Sequence, residues 1–230
     1  MHIKADVHTI ANIMEDNDHL AEENRDYFRE HRIAAFNFMS APGAGKTTLL
    51  TTTIQRLKNK YEATVLVGDM VSNIDADRFK NNTIEAHQIS TGKSCHLDAA
   101  MIASSIDNHL IPDSRVLFIE NVGNLVCPAE FDLGEKRRIV LLSVTEGDDK
   151  PIKYPVIFQN CDAVLLTKYD LLDYVDFDTR KFVKTINSIN PGAALLTVSA
   201  KTGSGFDGWI QWLGNQIEAL KEEFQTQSKG

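Results

Sequence analysis

The sequence predicts a doubly wound α/β fold, with a mainly parallel β-sheet flanked by helices. Near-continuous apolar runs rich in β-branched residues recur at 34–39, 64–67, 115–119, 138–143, 162–167 and 194–199, the pattern of strands buried on both faces. Stretches of helical length separate several of them, which is the alternation that builds a parallel sheet. A glycine-rich loop follows the first run, where such folds place ligands at strand carboxyl ends.

Taken in order, residues 6–31 carry Val7, Ile10, Met14, Leu20 and Tyr27 among acids at 15, 16, 18, 22, 23 and 30, and predict a partly amphipathic helical arm. The chain is therefore divided into an arm over 1–31 and a nucleotide-binding domain over 32–230. The first strand, 34–39, runs into Ser40-Ala-Pro-Gly-Ala-Gly-Lys-Thr-Thr48, and Leu49, Leu50, Ile54 and Leu57 mark the helix behind it. Strand, loop and helix in that order are the context a phosphate-binding loop requires, which identifies the P-loop NTPase fold. Further helices are expected over 84–110, 179–188 and 208–224. No repeat and no low-complexity tract interrupts the chain.

With 230 residues, 43% of them hydrophobic, the chain can bury one substantial core. A formal net charge of −8 excludes a general nucleic-acid or anionic-membrane binder, which needs a broad basic face. No apolar stretch approaches ~18 residues and the N-terminus is not signal-like, so a cytoplasmic protein is expected. Three cysteines, an odd number, do not form a disulfide framework.

In the phosphate loop, Gly43, Ala44 and Gly45 let backbone N–H groups curl around phosphate oxygens at a helix N-terminus, with Thr48 in the first turn. Lys46 neutralises terminal phosphate charge, and the Thr47 hydroxyl is a Mg²⁺ ligand of the usual kind. Ser40 stands where the usual pattern has its first glycine. Asp69 follows the 64–67 run, Asp75 is expected in the loop behind it, and Glu120 ends the 115–119 run. Of these acids, Asp75 and Glu120 are assigned to magnesium and catalysis beside Lys46. Gly123 is expected to offer its N–H to the γ-phosphate and so to report its presence.

Base choice falls to Thr167-Lys-Tyr-Asp170. A carboxylate accepts both the N1–H and the exocyclic amine of guanine, and adenine offers no such donor pair, so Asp170 selects GTP and GDP. The Lys168 stem lies along the base, and Ser199-Ala200-Lys201 supplies a second loop toward it.

A different chemistry is written at Cys95-His96 and at Cys127, seven residues past Glu120. Two thiolates and an imidazole suit Zn²⁺ or another borderline-soft ion such as Ni²⁺. Three ligands do not close a tetrahedron, so the fourth comes from water, another residue or another chain. Cys161 has no ligand-like neighbour and is assigned to structure, and the remaining histidines are scattered.

The phosphate loop, Thr91-Gly-Lys-Ser-Cys-His-Leu-Asp98, Glu120-Asn-Val-Gly-Asn-Leu-Val-Cys-Pro128 and Ser143-Val-Thr-Glu-Gly-Asp-Asp-Lys-Pro151 together resemble the HypB family of nickel-incorporation GTPases, which mature nickel-iron hydrogenases. The resemblance covers nearly the whole chain. It implies a SIMIBI-class GTPase that forms a GTP-dependent homodimer with a metal site at its interface. It further implies cooperation with a HypA-type metallochaperone to deliver Ni²⁺ to the hydrogenase large subunit. By position, Cys95, His96 and Cys127 match the interface metal site; Lys46, Thr47, Asp75 and Glu120 match the catalytic and magnesium region; Lys168 and Asp170 match the base pocket. The N-terminal cysteine motif of some members and a histidine-rich tract are absent from this sequence, so nickel storage is not expected. Ala99 and Ala100 stand where some members add a histidine, which argues against a two-metal cluster.

A single segment carrying both Glu120 and Cys127 leads to one expectation. GTP orders the loops after Asp69 and Glu120, and the displacement moves Cys127 relative to Cys95 and His96. A urease-type nickel GTPase is the nearest rival, but that family places Cys, Pro and His contiguously. A nucleotide-gated module with structural cysteines is the rival from another class. A kinase needs an acceptor pocket, and nothing in the sequence marks one.

Overall fold

The computed structural model describes residues 7–69, 74–113 and 115–227. In chain order the elements are α1 (Val7–Glu30), β1 (Ala34–Ser40), α2 (Lys46–Leu57), β2 (Ala63–Asp69), α3 (Ile74–Asn81), β3 (Glu85–Ser90), α4 (Ala99–Asp107), β4 (Val116–Glu120) and β5 (Arg137–Ser143). The short α5 (Lys150–Lys153) and α6 (Pro155–Gln159) follow, then β6 (Ala163–Thr167), α7 (Thr179–Ile189), β7 (Ala194–Thr197) and α8 (Phe206–Gln227). The strands form one sheet in the order β3-β2-β4-β1-β5-β6-β7, and every neighbouring pair is parallel.

Strand β1 lies near the middle, with all seven residues buried, and β4 and β6 are buried along their whole length. One face of the sheet is covered by α2, α3 and α8. Leu49, Leu50, Ile54 and Leu57 of α2 point into it at helical spacing, as do Trp209, Leu213, Ile217, Leu220 and Phe224 of α8. The Trp209 indole N–H donates to Thr53 Oγ1 at 2.9 Å, so the two helices share a satisfied polar contact inside an apolar layer. The other face is covered by α1 and α4 at one end and by α6 and α7 at the other.

Residues 84–110 correct the expected single helix. They hold the strand β3, a loop and the nine-residue α4. β3 reads Glu-Ala-His-Gln-Ile-Ser and is an edge strand only partly buried, so it lacks the apolar run that marks the inner strands. Asp98 starts α4 by accepting from the Met101 N–H at 2.9 Å.

Helix α1 is pinned to the start of α4 and to the loop before β5 by buried asparagines. Asn17 accepts from the Ala99 N–H and donates to Asp132 O, both at 2.9 Å. Asn24 donates to Ala99 O at 2.9 Å and to Leu133 O at 3.2 Å. Phe28 inserts into the apolar cluster with Ile33, Ile102 and Leu117.

Candidate functional site

The carboxyl ends of β1, β2, β4 and β6 open on one groove. Its phosphate end is a cleft of about 550 Å³ bordered by the phosphate loop, Asp69, Asp75, Glu120 and Gly123. Its other end is a pocket of about 270 Å³ bordered by Thr167, Lys168, Asp170, Ala200 and Lys201. Gly45, Thr48 and Lys168 border both, so the two are continuous.

At the phosphate end, Gly43 and Gly45 have φ of 77° and 97°, values that favour glycine and turn the loop back on itself. Lys46 is only 8% exposed, and its Nζ donates to Ser40 Oγ at 2.8 Å. Ser40 therefore holds the lysine at the head of the loop, a function that its departure from the glycine pattern did not announce. Burial lowers the Lys46 pKa, opposed by Glu120, Asp75 and Glu146. Thr47 donates to Glu120 Oε1 at 2.7 Å. Glu120 is 4% exposed, and burial pushes its carboxyl up to about 7 against the pull of Lys46 and the Thr47 hydrogen bond. Its Oε2 is buried without a hydrogen-bond partner. A hydroxyl, a carboxylate with an unused oxygen and the nearby Asp75 are the hard oxygen donors that suit Mg²⁺.

Asp75 is not in a loop but in the first turn of α3, where Arg78 approaches it at 3.4 Å. Arg78 also borders the cleft and lowers the Glu120 pKa through its charge. Sequence reading missed it. Its only signal was the three-residue spacing from Asp75, which brings the two together once the segment is helical.

Gly123 packs against the phosphate loop. A Cβ there would lie 3.0 Å from Pro42 Cα, so a larger residue would require the 120–127 segment and the loop to give by a few tenths of an ångström.

At the base end, Asp170 accepts from Ser199 Oγ at 2.6 Å, which orients its carboxylate from the second loop. Lys168 takes a left-handed backbone with φ of 53°, and Tyr169 N–H donates to Val198 O at 3.2 Å. Thr167 donates its hydroxyl to Ala44 O at 2.7 Å, tying the end of β6 to the phosphate loop.

The ligand atoms of Cys95, His96 and Cys127 lie within 4.8 Å of one another, all three residues half-buried. The two sulfurs are 2.8 Å apart, and Cys95 Sγ is 3.9 Å from His96 Nδ1. Tetrahedral Zn–S bonds of about 2.3 Å would separate two sulfurs by about 3.8 Å, so a bound ion would spread this pair. The His96 ring stacks on Phe131 at 3.9 Å with an interplanar angle of 19°. Burial pushes the His96 pKa down, against Asp98 and Glu130, and so favours the neutral imidazole that binds metals. The Cys127 thiol is pushed up by its hydrogen bond with Cys95 and then by burial. Asn124 donates to Cys95 O at 3.4 Å and accepts from the Val126 N–H at 2.8 Å, so the segment leading to Cys127 also touches the other cysteine's backbone. Phe131 and Asn124 carried no sequence signal. Cys161 lies apart in the core, its thiol donating to Phe158 O at 3.2 Å and raised to about 12 by burial.

A family model for the CobW/HypB/UreG nucleotide-binding domain matches residues 35–197. The chain is 47% identical over 204 residues to hydrogenase maturation factor HypB of Escherichia coli (strain K12), covering 89% of this chain and 70% of that protein. It superimposes on the crystal structure of HypB from Archaeoglobus fulgidus with a TM-score of 0.82 at 43% identity, over 88% of this chain and 99% of the other. HypB from Helicobacter pylori in complex with nickel gives a TM-score of 0.83 at 37% identity, over 91% of this chain and 97% of that one.

Proposed function

The chain belongs to the HypB family within the CobW/HypB/UreG nucleotide-binding proteins, and on that premise we propose that it is a GTP-hydrolysing accessory protein for nickel insertion into a nickel-iron hydrogenase large subunit. Its cargo is nickel or zinc held by Cys95, His96 and Cys127. Nickel is favoured by the Helicobacter pylori relative, which was solved with that metal. GTP binding favours a homodimer, and a HypA-type metallochaperone is the upstream or parallel partner. The site of action is the cytoplasm; no helix among the described residues is long and apolar enough to cross a membrane.

Backbone N–H groups of 43–48 cradle the phosphates, and the Lys46 ammonium faces the charge that develops on the transferred phosphoryl group. Thr47, Glu120 and Asp75 would hold Mg²⁺, which when bound neutralises β- and γ-phosphate charge. Glu120 must ionise to do so, and burial, which raises its carboxyl to about 7, opposes that charge. Asp170, oriented by Ser199, accepts from guanine, while Lys168 and the 199–201 loop enclose the base. Gly123 offers its N–H to the γ-phosphate. Hydrolysis is slow until a second subunit or partner completes the site.

The observation that carries the reading is the 120–127 segment, which runs from a buried magnesium-type carboxylate, past the phosphate loop at Gly123, to a metal-type cysteine. GTP pulls this segment and moves Cys127 relative to Cys95 and His96, and hydrolysis releases it. The test is the Cys127→Ala variant, in which the dependence of metal affinity on nucleotide is expected to fall. An unchanged dependence would rule the coupling out.

A further inference from the structure

Cys127 hangs from the nucleotide cleft by covalent chain, but Cys95 and His96 belong to a separate loop between β3 and α4. What joins that loop to the cleft is Asn121. It follows Glu120, is 1% exposed, and its own N–H donates to Phe38 O of β1 at 3.0 Å. Its side-chain Oδ1 accepts two backbone N–H groups, from Val122 at 2.9 Å and from Leu97 at 3.1 Å. Val122 precedes Gly123, which packs on the phosphate loop, and Leu97 follows His96. The Nδ2 of the same amide donates to Asn37 Oδ1 of β1 at 3.3 Å, so the side chain has no freedom to turn away. Leu97 itself is fully buried against Gly68, where a Cβ would lie 2.7 Å from Leu97 Cγ, and Gly68 borders the cleft just before Asp69.

We propose that Asn121 is a positioning residue that carries the nucleotide state to the Cys95–His96 half of the metal site, through one carboxamide oxygen shared by the backbone at Val122 and at Leu97. This rests on the reading of the chain as a GTP-coupled metal carrier. A γ-phosphate that draws in the 122–123 backbone alters the geometry of that shared oxygen, and the Leu97 amide responds. The cleft then acts on both arms of the ligand set: on Cys127 along the chain and on Cys95 and His96 through the amide. A buried amide making all of these bonds is costly to disturb at one end without the other.

The first test uses the unaltered full chain without metal. Hydrogen exchange in peptides covering 95–98 is compared with GDP and with a non-hydrolysable GTP analogue bound. Strengthening or loosening one buried hydrogen bond changes local opening by about 2–10-fold, and a difference of that size is expected. Equal exchange in the two states overturns the proposal. The second test is Asn121→Ala, with Zn²⁺ and Ni²⁺ titrated in both nucleotide states. A merely structural role would weaken metal binding equally in both states, whereas the proposal requires the ratio of the two affinities to fall toward one. A ratio equal to that of the unaltered protein overturns it, and if the variant does not fold the exchange measurement decides. The two readings fail separately. Nucleotide-dependent exchange without nucleotide-dependent metal affinity overturns the carrier reading and leaves the Asn121 link standing. Nucleotide-dependent metal affinity with unchanged exchange at 95–98 does the reverse.

Discussion

Lys46, Thr47 and Glu120 are each at most 8% exposed and sit at the ends of buried parallel strands or in the first turn of the helix they feed, whereas Cys95, His96 and Cys127 are half-buried, the first two in a loop and the third at the start of a single 3-10 turn. The phosphate-end residues are held from the ends of β1 and β4, and the base-end carboxylate from the loop after β7. Ser40 fixes the lysine, Glu120 fixes the threonine, and Ser199 fixes Asp170. The metal-type residues are placed by groups from the stretch between β4 and β5: Asn121 and Asn124 on one side, and the Phe131 stack beneath His96 on the other. On the proposed function, the first region is a buried cradle for phosphate and the second a less buried ligand set for metal.

The sharpest way to separate the two regions is Lys46→Ala. Losing one preorganised charge at the transferred phosphoryl group is expected to lower GTP hydrolysis by about 10²–10³-fold in a phosphate-release assay. Metal affinity measured without nucleotide should not change, because Lys46 touches none of the ligands. The reciprocal change is Cys95→Ser. It should weaken Zn²⁺ binding by at least the ~10–100-fold that outer ligand partners cost, with GDP affinity kept, as read by paired metal and nucleotide titrations. If either substitution abolished both activities in a folded protein, the two regions would not be separable.

Asp170→Asn probes the base pocket alone. Replacing one acceptor oxygen by an amine breaks the match to guanine and suits a base with a carbonyl there. GTP affinity is expected to fall by about 10–100-fold while xanthosine triphosphate gains, measured by competition. The smallest effect concerns pH. Glu120 has its carboxyl raised from an ordinary 4.5 to about 7, so the folded cleft holds a proton that the unfolded chain has released between those values. Stability measured without added nucleotide or metal therefore declines as pH rises through that window and levels off above it. Denaturant midpoints taken from about pH 5 to about pH 8 should show the decline, and Glu120→Gln should flatten it. Nucleotide binding with Mg²⁺, which needs the ionised carboxylate, should strengthen in the opposite direction.

The same contrast explains what the sequence disclosed. The phosphate loop, Thr167-Lys-Tyr-Asp170 and the inner strands were legible because fixed spacing and continuous apolar runs are local properties. β3 was not, because an edge strand of Glu, His and Gln has no such run, and its residues were assigned to a helix. Asp75 was expected in a loop, since the eight residues of α3 are largely polar and show little amphipathic pattern. Cys95, His96 and Cys127 stood out as residue types, yet the groups that position them did not. Asn121, Asn124 and Phe131 act across 24, 29 and 35 positions of sequence respectively, counted from Leu97, Cys95 and His96. Arg78 and the α1 asparagines Asn17 and Asn24 belong to the same class, ordinary polar residues whose partners are set only when the chain is folded.

The most direct test of the account is to titrate Ni²⁺ and Zn²⁺ into the full chain with GDP and with a non-hydrolysable GTP analogue, recording the oligomeric mass of the same samples. The account predicts a metal affinity that differs between the two nucleotides, with a dimer in the analogue state. Equal affinity and equal mass in both states would contradict it, and no stoichiometric metal uptake in either state would leave a nucleotide-binding protein whose cysteines serve structure alone.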